Sequence, residues 1–307
     1  MSDMPMMGLG TFQIGDNKIP CTATDVILTA LRLGYRHLDL AANYNNLREI
    51  SVALKTAFKP VSEGGLGLKR EDLWLTMKGQ GTSTNYIDSL LRTIGVEYFD
   101  LYLTHHSTSG LFLSEEGLTT EWTNLSSISR SKLHRIGVSN CYEPHLTRLL
   151  AICERENLIR PFANEVEMNL LSKNRDLMDY CQHEGIQIIA YSPLGYLNSG
   201  HVLLNNQELA NLARGIDSTT AQAALALLLN KGVAVIPKSN HEARLLENFK
   251  AQDFVQSVDQ HPELVKHLDS QDDMMPDGTT EVAIESKEHG LRLSWDVSTA
   301  SSYKSPF

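Results

Sequence analysis

Eight short runs of β-forming residues, separated by segments with helical periodicity, constrain the fold of this chain more than any other feature. Such alternation is typical of repeated βα units, whose strands form a parallel sheet with helices packed on it. Eight such units can close the sheet into a barrel. The predicted strands are residues 7–11, 37–40, 73–77, 99–104, 135–139, 162–166, 186–191 and 233–236.

The segments between these runs have the boundary signals of helices. Thr24 and Asn174 are candidate N-caps, and Pro144 suits a first helical position. Glycine follows the last periodic residue at positions 34, 95, 185 and 232, where a left-handed C-cap is expected. The predicted helices are residues 24–33, 48–58, 85–94, 144–156, 175–184 and 220–230.

A closed barrel is favoured over an open, doubly wound sheet. Doubly wound dinucleotide-binding folds have Gly-x-Gly-x-x-Gly after their first strand, and Gly8-Leu9-Gly10 lacks the third glycine. We therefore predict an α/β fold, an eight-stranded parallel (β/α)8 TIM barrel, as the catalytic domain in residues 1–270. Residues 271–307 are predicted to form an atypical C-terminal tail. Its alternating stretches flank Lys-Glu-His-Gly at 287–290, which indicates a β-hairpin packed on the barrel.

Charge and composition argue against several kinds of partner. The 307 residues include 27 Lys and Arg against 37 Asp and Glu, a net charge of −10 that disfavours nucleic acid and anionic lipid. No apolar stretch approaches the roughly 20 residues of a membrane span, and the start has no signal-peptide pattern. The four cysteines are widely spaced, without a Cys-x-x-Cys pair. We interpret them as reduced thiols of a cytoplasmic protein.

Polar residues end several of the apolar runs. In a (β/α)8 barrel the carboxyl ends of the strands form the active site. Asp39, Lys78 and His105 each lie at the end of a run, and Tyr44 follows Asp39 by five positions. Charge, phenol and imidazole in one pocket indicate an enzyme. Further strand-end residues are Ser139, Asn140, Glu165, Tyr191 and Lys238.

These strand ends belong to a series of motifs that resembles the aldo-keto reductase family, over about residues 4–248. A single motif would be weak evidence, but six motifs in the same order make the resemblance specific. They are Met-Gly-Leu-Gly-Thr at 7–11, Gly-Tyr-Arg-His-Leu-Asp at 34–39, Asp-Leu-Tyr-Leu-Thr-His at 100–105, Gly-Val-Ser-Asn at 137–140, Ala-Tyr-Ser-Pro-Leu-Gly at 190–195 and Ile-Pro-Lys-Ser-Asn at 236–240.

The resemblance implies carbonyl reduction by hydride from a nicotinamide. The family's four catalytic positions are occupied here by Asp39, Tyr44, Lys78 and His105. Hydride addition leaves an alkoxide that needs a proton donor, and the Lys78 ammonium is expected to lower the pKa of the Tyr44 phenol. Asp39 would compensate the buried charge of Lys78. A neutral His105 would orient the carbonyl by a hydrogen bond.

Each of these residues also has a structural interpretation. Asp39 and Lys78 can be a buried ion pair that joins two strands, and Tyr44 can be a rim aromatic. His105 and His106 invite a metal interpretation, but adjacent residues of a strand point to opposite faces. No carboxylate or cysteine ligand lies at suitable spacing either, so we predict no metal.

The resemblance also implies where a cofactor, NADPH or NADP, binds. Ser139, Asn140 and Glu165 occupy positions that hold the nicotinamide amide, and the ring of Tyr191 is expected to stack on the nicotinamide. Two cations near residue 240 suit the extra phosphate of NADPH, although a solvated basic face is the alternative. The other cofactor positions are Gly10, Thr11, Ser192, Leu194, Lys238, Ser239, Asn240, Arg244, Glu247 and Asn248.

The chain departs from the family pattern at several positions. Glu165 replaces the usual glutamine, and an ionised carboxylate accepts hydrogen bonds but cannot donate one. Phe12 and His106 are assigned to the substrate pocket, although Phe12 can equally be a core residue. The N-terminal hairpin that closes the barrel floor in relatives is missing, because only six residues precede the first run. Another group is therefore expected to cover that end.

Together these features predict an NADPH-dependent oxidoreductase that reduces an aldehyde or ketone to an alcohol, with a tyrosine general acid. We expect a monomer. The alternative is a nucleotide-binding regulatory or scaffold subunit of the same fold with little turnover. A hydrolase would need a metal cluster or two facing carboxylates, and the sequence indicates neither.

Overall fold

The computed structural model of the chain describes residues 3–15, 21–105, 114–196 and 198–270. His106 and residues 271–307, with the predicted hairpin, lie outside the described residues. Within the described ranges, no helix has the length and apolarity needed to cross a membrane.

Eight parallel strands form a nearly closed barrel, as the sequence predicts. Each strand pairs with the next one along the chain. A bridge between Met7 and Val235 and a hydrogen bond of 3.2 Å from the Gly10 amide to the Pro237 carbonyl join the last strand to the first. The strands are β1 (Gly8–Gly10), β2 (His37–Ala41), β3 (Trp74–Gly79), β4 (Phe99–Thr104), β5 (Leu133–Ser139), β6 (Ala163–Glu167), β7 (Gln187–Tyr191) and β8 (Ala234–Val235).

Helices follow the strands, and six of them match predicted segments to within one residue at each end. The periodicity missed the helix after β4 (Glu115–Ser127) and the first two helices after β7 (Asn198–Leu204 and Gln207–Gly215). The described α-helices are α1 (Ala23–Leu33), α2 (Leu47–Ala57), α3 (Thr84–Ile94), α4 (Glu115–Ser127), α5 (Glu143–Arg155), α6 (Arg175–Glu184), α7 (Asn198–Leu204), α8 (Gln207–Gly215), α9 (Thr220–Asn230), α10 (Glu242–Phe249), α11 (Val255–Val258) and α12 (Pro262–Ser270).

Two predicted N-caps differ in detail. Thr22, not Thr24, caps α1, because its hydroxyl accepts from the Asp25 amide and the Asp25 carboxylate accepts from the Thr22 amide. Asn174 does precede α6, but its side chain donates to the Glu167 carbonyl at 2.8 Å and makes no cap hydrogen bond. The left-handed glycines at 34, 95 and 185 end α1, α3 and α6 as predicted.

Closure of the barrel depends on the absence of a side chain at Gly10. A Cβ atom there would lie 2.7 Å from the Ile236 carbonyl oxygen, closer than real Cβ contacts. The first strand can therefore approach the last one only with glycine at this position. The short β1 is held beside β8, and the residues that follow it reach the mouth of the barrel.

Aromatic side chains and a guanidinium cover the floor of the barrel. Trp74 begins β3 inside the barrel, and Phe162 precedes β6 on the same side, with ring centroids 6.1 Å apart. The Arg135 guanidinium lies 5.0 Å from the Trp74 ring and 4.7 Å from the Phe162 ring. Met4 packs in the same cluster. These groups cover the floor of the barrel, and no strand precedes β1 among residues 3–7.

Candidate active site

The strand geometry points the predicted catalytic side chains into the mouth of the barrel. Alternate residues of a strand face the same side. Lys78 therefore shares the inner face of β3 with Trp74, whereas Leu75 and Met77 pack in the outer core. His105 follows β4 with the inward parity of Leu101 and Leu103. Hydrophobic packing of the two faces thus sets the direction of the polar residues.

The four predicted catalytic side chains lie together. Asp39 and Lys78 are each only 2% exposed, and the Lys78 ammonium donates to Asp39 Oδ2. The Lys78 Nζ atom lies 5.3 Å from the centroid of the Tyr44 ring. The Tyr44 and His105 ring centroids are 5.9 Å apart in an edge-on arrangement. The residues thus form one cluster at the rim, with the carboxylate and the amine below the phenol and the imidazole beside it.

Glu165 is a fifth member of this cluster. Its Oε1 atom lies 2.9 Å from Lys78 Nζ, and the residue is 1% exposed. One ammonium thus faces two buried carboxylates. Oδ1 of Asp39 and Oε2 of Glu165 are both buried, and the described residues offer them no donor, so a hydrogen bond between the two carboxyls needs a proton on one of them. The sequence prediction placed Glu165 at the cofactor and did not anticipate its contact with Lys78.

Burial and charge shift the pKa values of this cluster in different directions. Burial opposes the charge of Lys78, but Asp39 and Glu165 outweigh it and hold the pKa of the amine well above its usual value. Burial and the charge of Asp39 raise the pKa of Glu165 to about 8, against the opposing effect of Lys78. The buried assembly is therefore electrically neutral while Glu165 keeps its proton.

Lys78 acts on the pKa of the Tyr44 phenol in the expected direction, but burial, which the prediction did not include, acts in the opposite one. Lys78 does lower the pKa of the phenol, but burial raises it by more, and the charges of Asp39 and Glu165 add to the increase. The net pKa of Tyr44 lies above its ordinary value. The phenol consequently keeps its proton throughout the physiological range, which is the state a proton donor requires.

A hydrogen-bond network connects the ends of β4, β5, β6 and β7. The Ser139 hydroxyl and the Asn140 amide donate to the Glu165 carbonyl at 2.9 and 2.8 Å. Asn140 Nδ2 donates to the His105 carbonyl at 3.3 Å. The Tyr191 hydroxyl donates to Asn140 Oδ1 at 2.9 Å, which fixes the tyrosine ring at the mouth. The predicted nicotinamide positions therefore form one connected surface beside the cluster.

The loop after β1 forms another wall of the mouth. Thr11 donates through its hydroxyl to the Asp39 carbonyl at 2.7 Å, and Asn46 Nδ2 donates to the Thr11 carbonyl at 2.8 Å. The Phe12 ring lies 5.1 Å from the Tyr44 ring. Phe12 therefore lies at the rim beside the phenol, and its assignment to the substrate pocket stays a prediction. Asn46 is a positioning residue that the prediction did not include.

Left-handed backbone conformations of residues other than glycine occur at the mouth. Asn45, Asn140 and Ser192 have φ angles of 59°, 58° and 48°. Asn169 Nδ2 donates to the Ser192 carbonyl at 3.2 Å and holds that turn. Non-glycine residues in this region are strained and concentrate at functional sites. Leu194 lies partly buried in the same turn.

The predicted phosphate-binding segment lies before and within α10. Lys238, Ser239 and Asn240 precede the helix, whose first residue is Glu242. Lys238 and Arg244 are exposed, and Asn240 contacts the loop after β1, where Gly15 donates to its Oδ1 at 3.3 Å. Glu247 and Asn248 occupy the second turn.

Asn164 is a second positioning residue that the prediction missed. It is fully buried in β6, and its side chain donates to the Cys141 carbonyl at 2.7 Å and accepts from the Cys141 amide at 3.3 Å. These two bonds hold the turn that carries Ser139 and Asn140. An asparagine in the middle of an apolar strand run was the available signal, because a buried amide requires partners.

The fold and this mouth define a (β/α)8-barrel protein with an assembled enzyme-type site. Within the described residues, no group of three His, Cys, Asp or Glu side chains could hold a metal ion. The sequence model of the Aldo/keto reductase family matches residues 6–269. The chain therefore belongs to the aldo/keto reductase family and is an oxidoreductase of a family that uses nicotinamide cofactors.

Individual relatives agree with this assignment. The chain is 33% identical to the D/L-glyceraldehyde reductase of Hypocrea jecorina, over 80% of this chain and 80% of that protein. It is 31% identical to the 9,11-endoperoxide prostaglandin H2 reductase of Trypanosoma cruzi, over 82% of this chain and 83% of that protein. Among solved structures, MGS-M4, an aldo-keto reductase from a Medee basin deep-sea metagenome library, superposes with a TM-score of 0.74 and 30% identity, covering 90% of this chain and 94% of its own.

Proposed function

We propose that this protein uses NADPH to reduce the carbonyl of an aldehyde or ketone to an alcohol, with Tyr44 as the proton donor. The observation that carries the proposal is the cluster at the mouth, in which Tyr44 lies beside His105 and above the buried Asp39–Lys78 pair. Curated relatives such as the glyoxal reductase of Bacillus subtilis, 32% identical over 82% of this chain and 84% of that protein, have names that support a small carbonyl substrate.

The residues at the mouth fit a nicotinamide cofactor. A carboxamide needs donors and acceptors, and Asn140 and Ser139 supply them, with Glu165 as the third assigned residue beside them. The Tyr191 ring, held by its hydroxyl bond to Asn140, offers a flat surface for stacking. The exposed cations Lys238 and Arg244 fit a phosphate monoester near α10. The remaining assigned residues are Gly10, Thr11, Ser192, Leu194, Ser239, Asn240, Glu247 and Asn248.

The side chains of the cluster divide the chemistry among themselves. The bound cofactor would supply hydride to the carbonyl carbon. Tyr44 then donates its proton to the oxygen on which negative charge develops. His105 donates a hydrogen bond to that oxygen and orients it. Once Tyr44 has given up its proton, the ammonium of Lys78 stabilises the resulting phenolate. Asp39 compensates the buried charge of Lys78.

Cofactor oxidation provides the direct test of this function. The purified protein is mixed with NADPH and a panel of short aldehydes and ketones, and the absorbance of the reduced cofactor is followed. We expect consumption of NADPH that depends on the carbonyl compound. Tight binding of NADPH without turnover of any panel member would contradict reduction and favour the regulatory or scaffold alternative.

Replacing the two exposed cations should weaken the binding of NADPH but not the binding of NADH. For the double variant Lys238→Met and Arg244→Met, we expect the Kd of NADPH to rise by roughly 10- to 100-fold, since charged hydrogen bonds contribute about 1.5–3 kcal/mol each and these are exposed. The Kd of NADH should stay unchanged, because NADH lacks the added phosphate. Fluorescence titration of both cofactors measures the two constants, and Lys250→Met is the control. Equal loss of NADH affinity would show that the cations do not distinguish the phosphate.

We also infer a cytoplasmic monomer with an independently folded barrel in residues 1–270. The four cysteines, Cys21, Cys141, Cys153 and Cys181, are all free thiols, which suits a reducing compartment. Light scattering of the full chain and of the 1–270 fragment measures the mass of each species. A stable dimer, or an unfolded fragment, would overturn this part of the proposal.

A further inference from the structure

We propose that Glu165 controls proton donation by Tyr44: reduction requires the neutral carboxyl, and ionisation of Glu165 sets the alkaline limit of the reaction. This inference rests on the proposed function, because it concerns the same proton. Glu165 acts as a positioning and charge-setting residue through Lys78, with no need for contact with the reacting atoms.

The geometry leaves one positive charge between two carboxylates. Lys78 Nζ lies 2.9 Å from Glu165 Oε1 and also contacts Asp39 Oδ2, and all three residues are at most 2% exposed. Water is therefore excluded from the cluster. Two ionised carboxylates and one ammonium would leave a net negative charge in a medium of low dielectric, which is costly. A proton on one carboxylate removes that cost.

Glu165 is the carboxylate on which this proton lies. Its pKa is raised to about 8, first by burial and then by the charge of Asp39. The charged or titratable groups that act on it come from β2 (Asp39), β3 (Lys78) and the loop after β2 (Tyr44). Its neighbours on the flanking strands, Ser139 of β5 and Ile189 of β7, carry no charge.

Ionisation of Glu165 makes Tyr44 a weaker acid. The negative charge of Glu165 raises the pKa of the Tyr44 phenol, in the direction opposite to that of Lys78. Below the pKa of Glu165 the cluster contains Lys78 and Asp39 as a neutral pair. Above the pKa of Glu165, one additional negative charge acts on the phenol, and the phenol holds its proton more strongly. Proton transfer to the alkoxide is then less favourable. Reduction should consequently fall as pH rises through about 8.

The unpartnered Oε2 atom favours the same neutral state. It is buried without a hydrogen-bond partner among the described residues. A protonated carboxyl has one donor and one acceptor, as an amide does, whereas a carboxylate has acceptors only. The neutral form of Glu165 therefore provides the donor that a hydrogen bond to the Asp39 carboxylate requires, and the ionised form loses this bond together with the charge balance.

The test compares the pH dependence of the wild type with Glu165→Gln, with Glu71→Gln on the surface as the matched control. Wild type and Glu71→Gln should lose kcat/KM for reduction above pH 8, about tenfold per pH unit for a single ionisation. Glu165→Gln should lack this alkaline decrease whatever its absolute kcat/KM, so that its ratio to wild type at pH 9 is about tenfold higher than its own ratio at pH 6. Superimposable profiles would overturn the proposal.

Infrared titration of the protein without cofactor gives a readout independent of turnover. A protonated-carboxyl band should disappear around pH 8 in wild type and in Glu71→Gln, and should be missing from Glu165→Gln. In Asp39→Asn, where Lys78 has one carboxylate, the band should titrate at lower pH. Because the folded-state pKa of Glu165 is raised, wild-type stability should also fall from pH 5 to 8 more than that of Glu165→Gln.

The two readouts separate the possible failures. A band that titrates near pH 8 with an unshifted activity profile overturns this proposal alone. No reduction at any pH overturns the proposed function and the alkaline limit with it. No titrating band in the wild type overturns the assignment of a neutral Glu165, whatever the activity, and this measurement does not depend on the folding of any variant.

Discussion

Tyr44→Phe should abolish carbonyl reduction while leaving the fold and cofactor binding intact. The ring contacts with Phe12 and His105 remain in this variant, because only the hydroxyl is removed. What is lost is the proton donor, and general acid catalysis contributes about 10²–10⁴-fold to such a step. We therefore expect kcat/KM to fall by about that factor, with an unchanged Kd for NADPH. Steady-state kinetics and fluorescence titration measure the two quantities.

Tyr180→Phe is the matched control for this experiment. Tyr180 lies in α6 on the outside of the barrel, where its hydroxyl contacts Thr147 Oγ1 at 2.8 Å. The same chemical change there should leave kcat/KM at the wild-type value. Retention of most activity in Tyr44→Phe would assign proton donation to another group, with His105 as the nearest candidate in the cluster.

Lys78→Met should destabilise the protein and inactivate it together. Methionine has a similar length, but the substitution leaves the buried carboxyls of Asp39 and Glu165 without their cation. Removal of one partner from a buried ion pair typically costs about 3–5 kcal/mol. Urea unfolding at pH 8 measures the loss. Reduction should be undetectable at every pH, because no ammonium remains to stabilise the Tyr44 phenolate.

The pH dependence of this loss identifies its cause. If the cost comes from unpaired carboxylates, uptake of protons relieves it, so the free energy of unfolding should recover partly when pH is lowered from 8 to 5. The control is Lys132→Met, which breaks a partly exposed pair with Asp88 (2.7 Å) and should cost only about 0–1 kcal/mol. An equal loss of free energy of unfolding in the two variants would mean that burial does not increase the cost of breaking the ion pairs of Lys78.

The sequence was sufficient to predict the barrel and the location of its site. Strand and helix periodicities are local, so β4 (Phe99–Thr104) and α6 (Arg175–Glu184) were predicted with their observed bounds. The positions of Lys78 and His105 also followed from local information, because they lie at the ends of β3 and β4 and a parallel barrel brings such ends to one rim. Asp39 was expected at a strand end but lies in the middle of β2, from where it reaches Lys78. The role of Tyr44, five residues beyond a strand, came from the family resemblance.

Some of the helices were harder to predict. α4 and α8 were not predicted, although each buries three side chains at helical spacing against α5 and α9. The buried residues are Leu118, Trp122 and Leu125 of α4 and Leu209, Leu212 and Ala213 of α8. The sequence also contained no indication that Trp74, Phe162 and Arg135 cover the floor of the barrel. Trp74 and Arg135 belong to β3 and β5 and Phe162 directly precedes β6, so only the closed barrel brings the two rings and the guanidinium within 6.1 Å of one another.

The sequence by itself determined which strands form, in which order they pair, and which polar residues reach the mouth, because hydrophobic alternation sets both the face and the register. Only the tertiary structure decided how those residues share charge. Two strands, β4 and β5, lie between Lys78 and Glu165 in the chain, yet their side chains meet at 2.9 Å across the barrel interior. Burial there, which no local pattern encodes, raises the pKa of Glu165 to about 8 and keeps the proton on Tyr44.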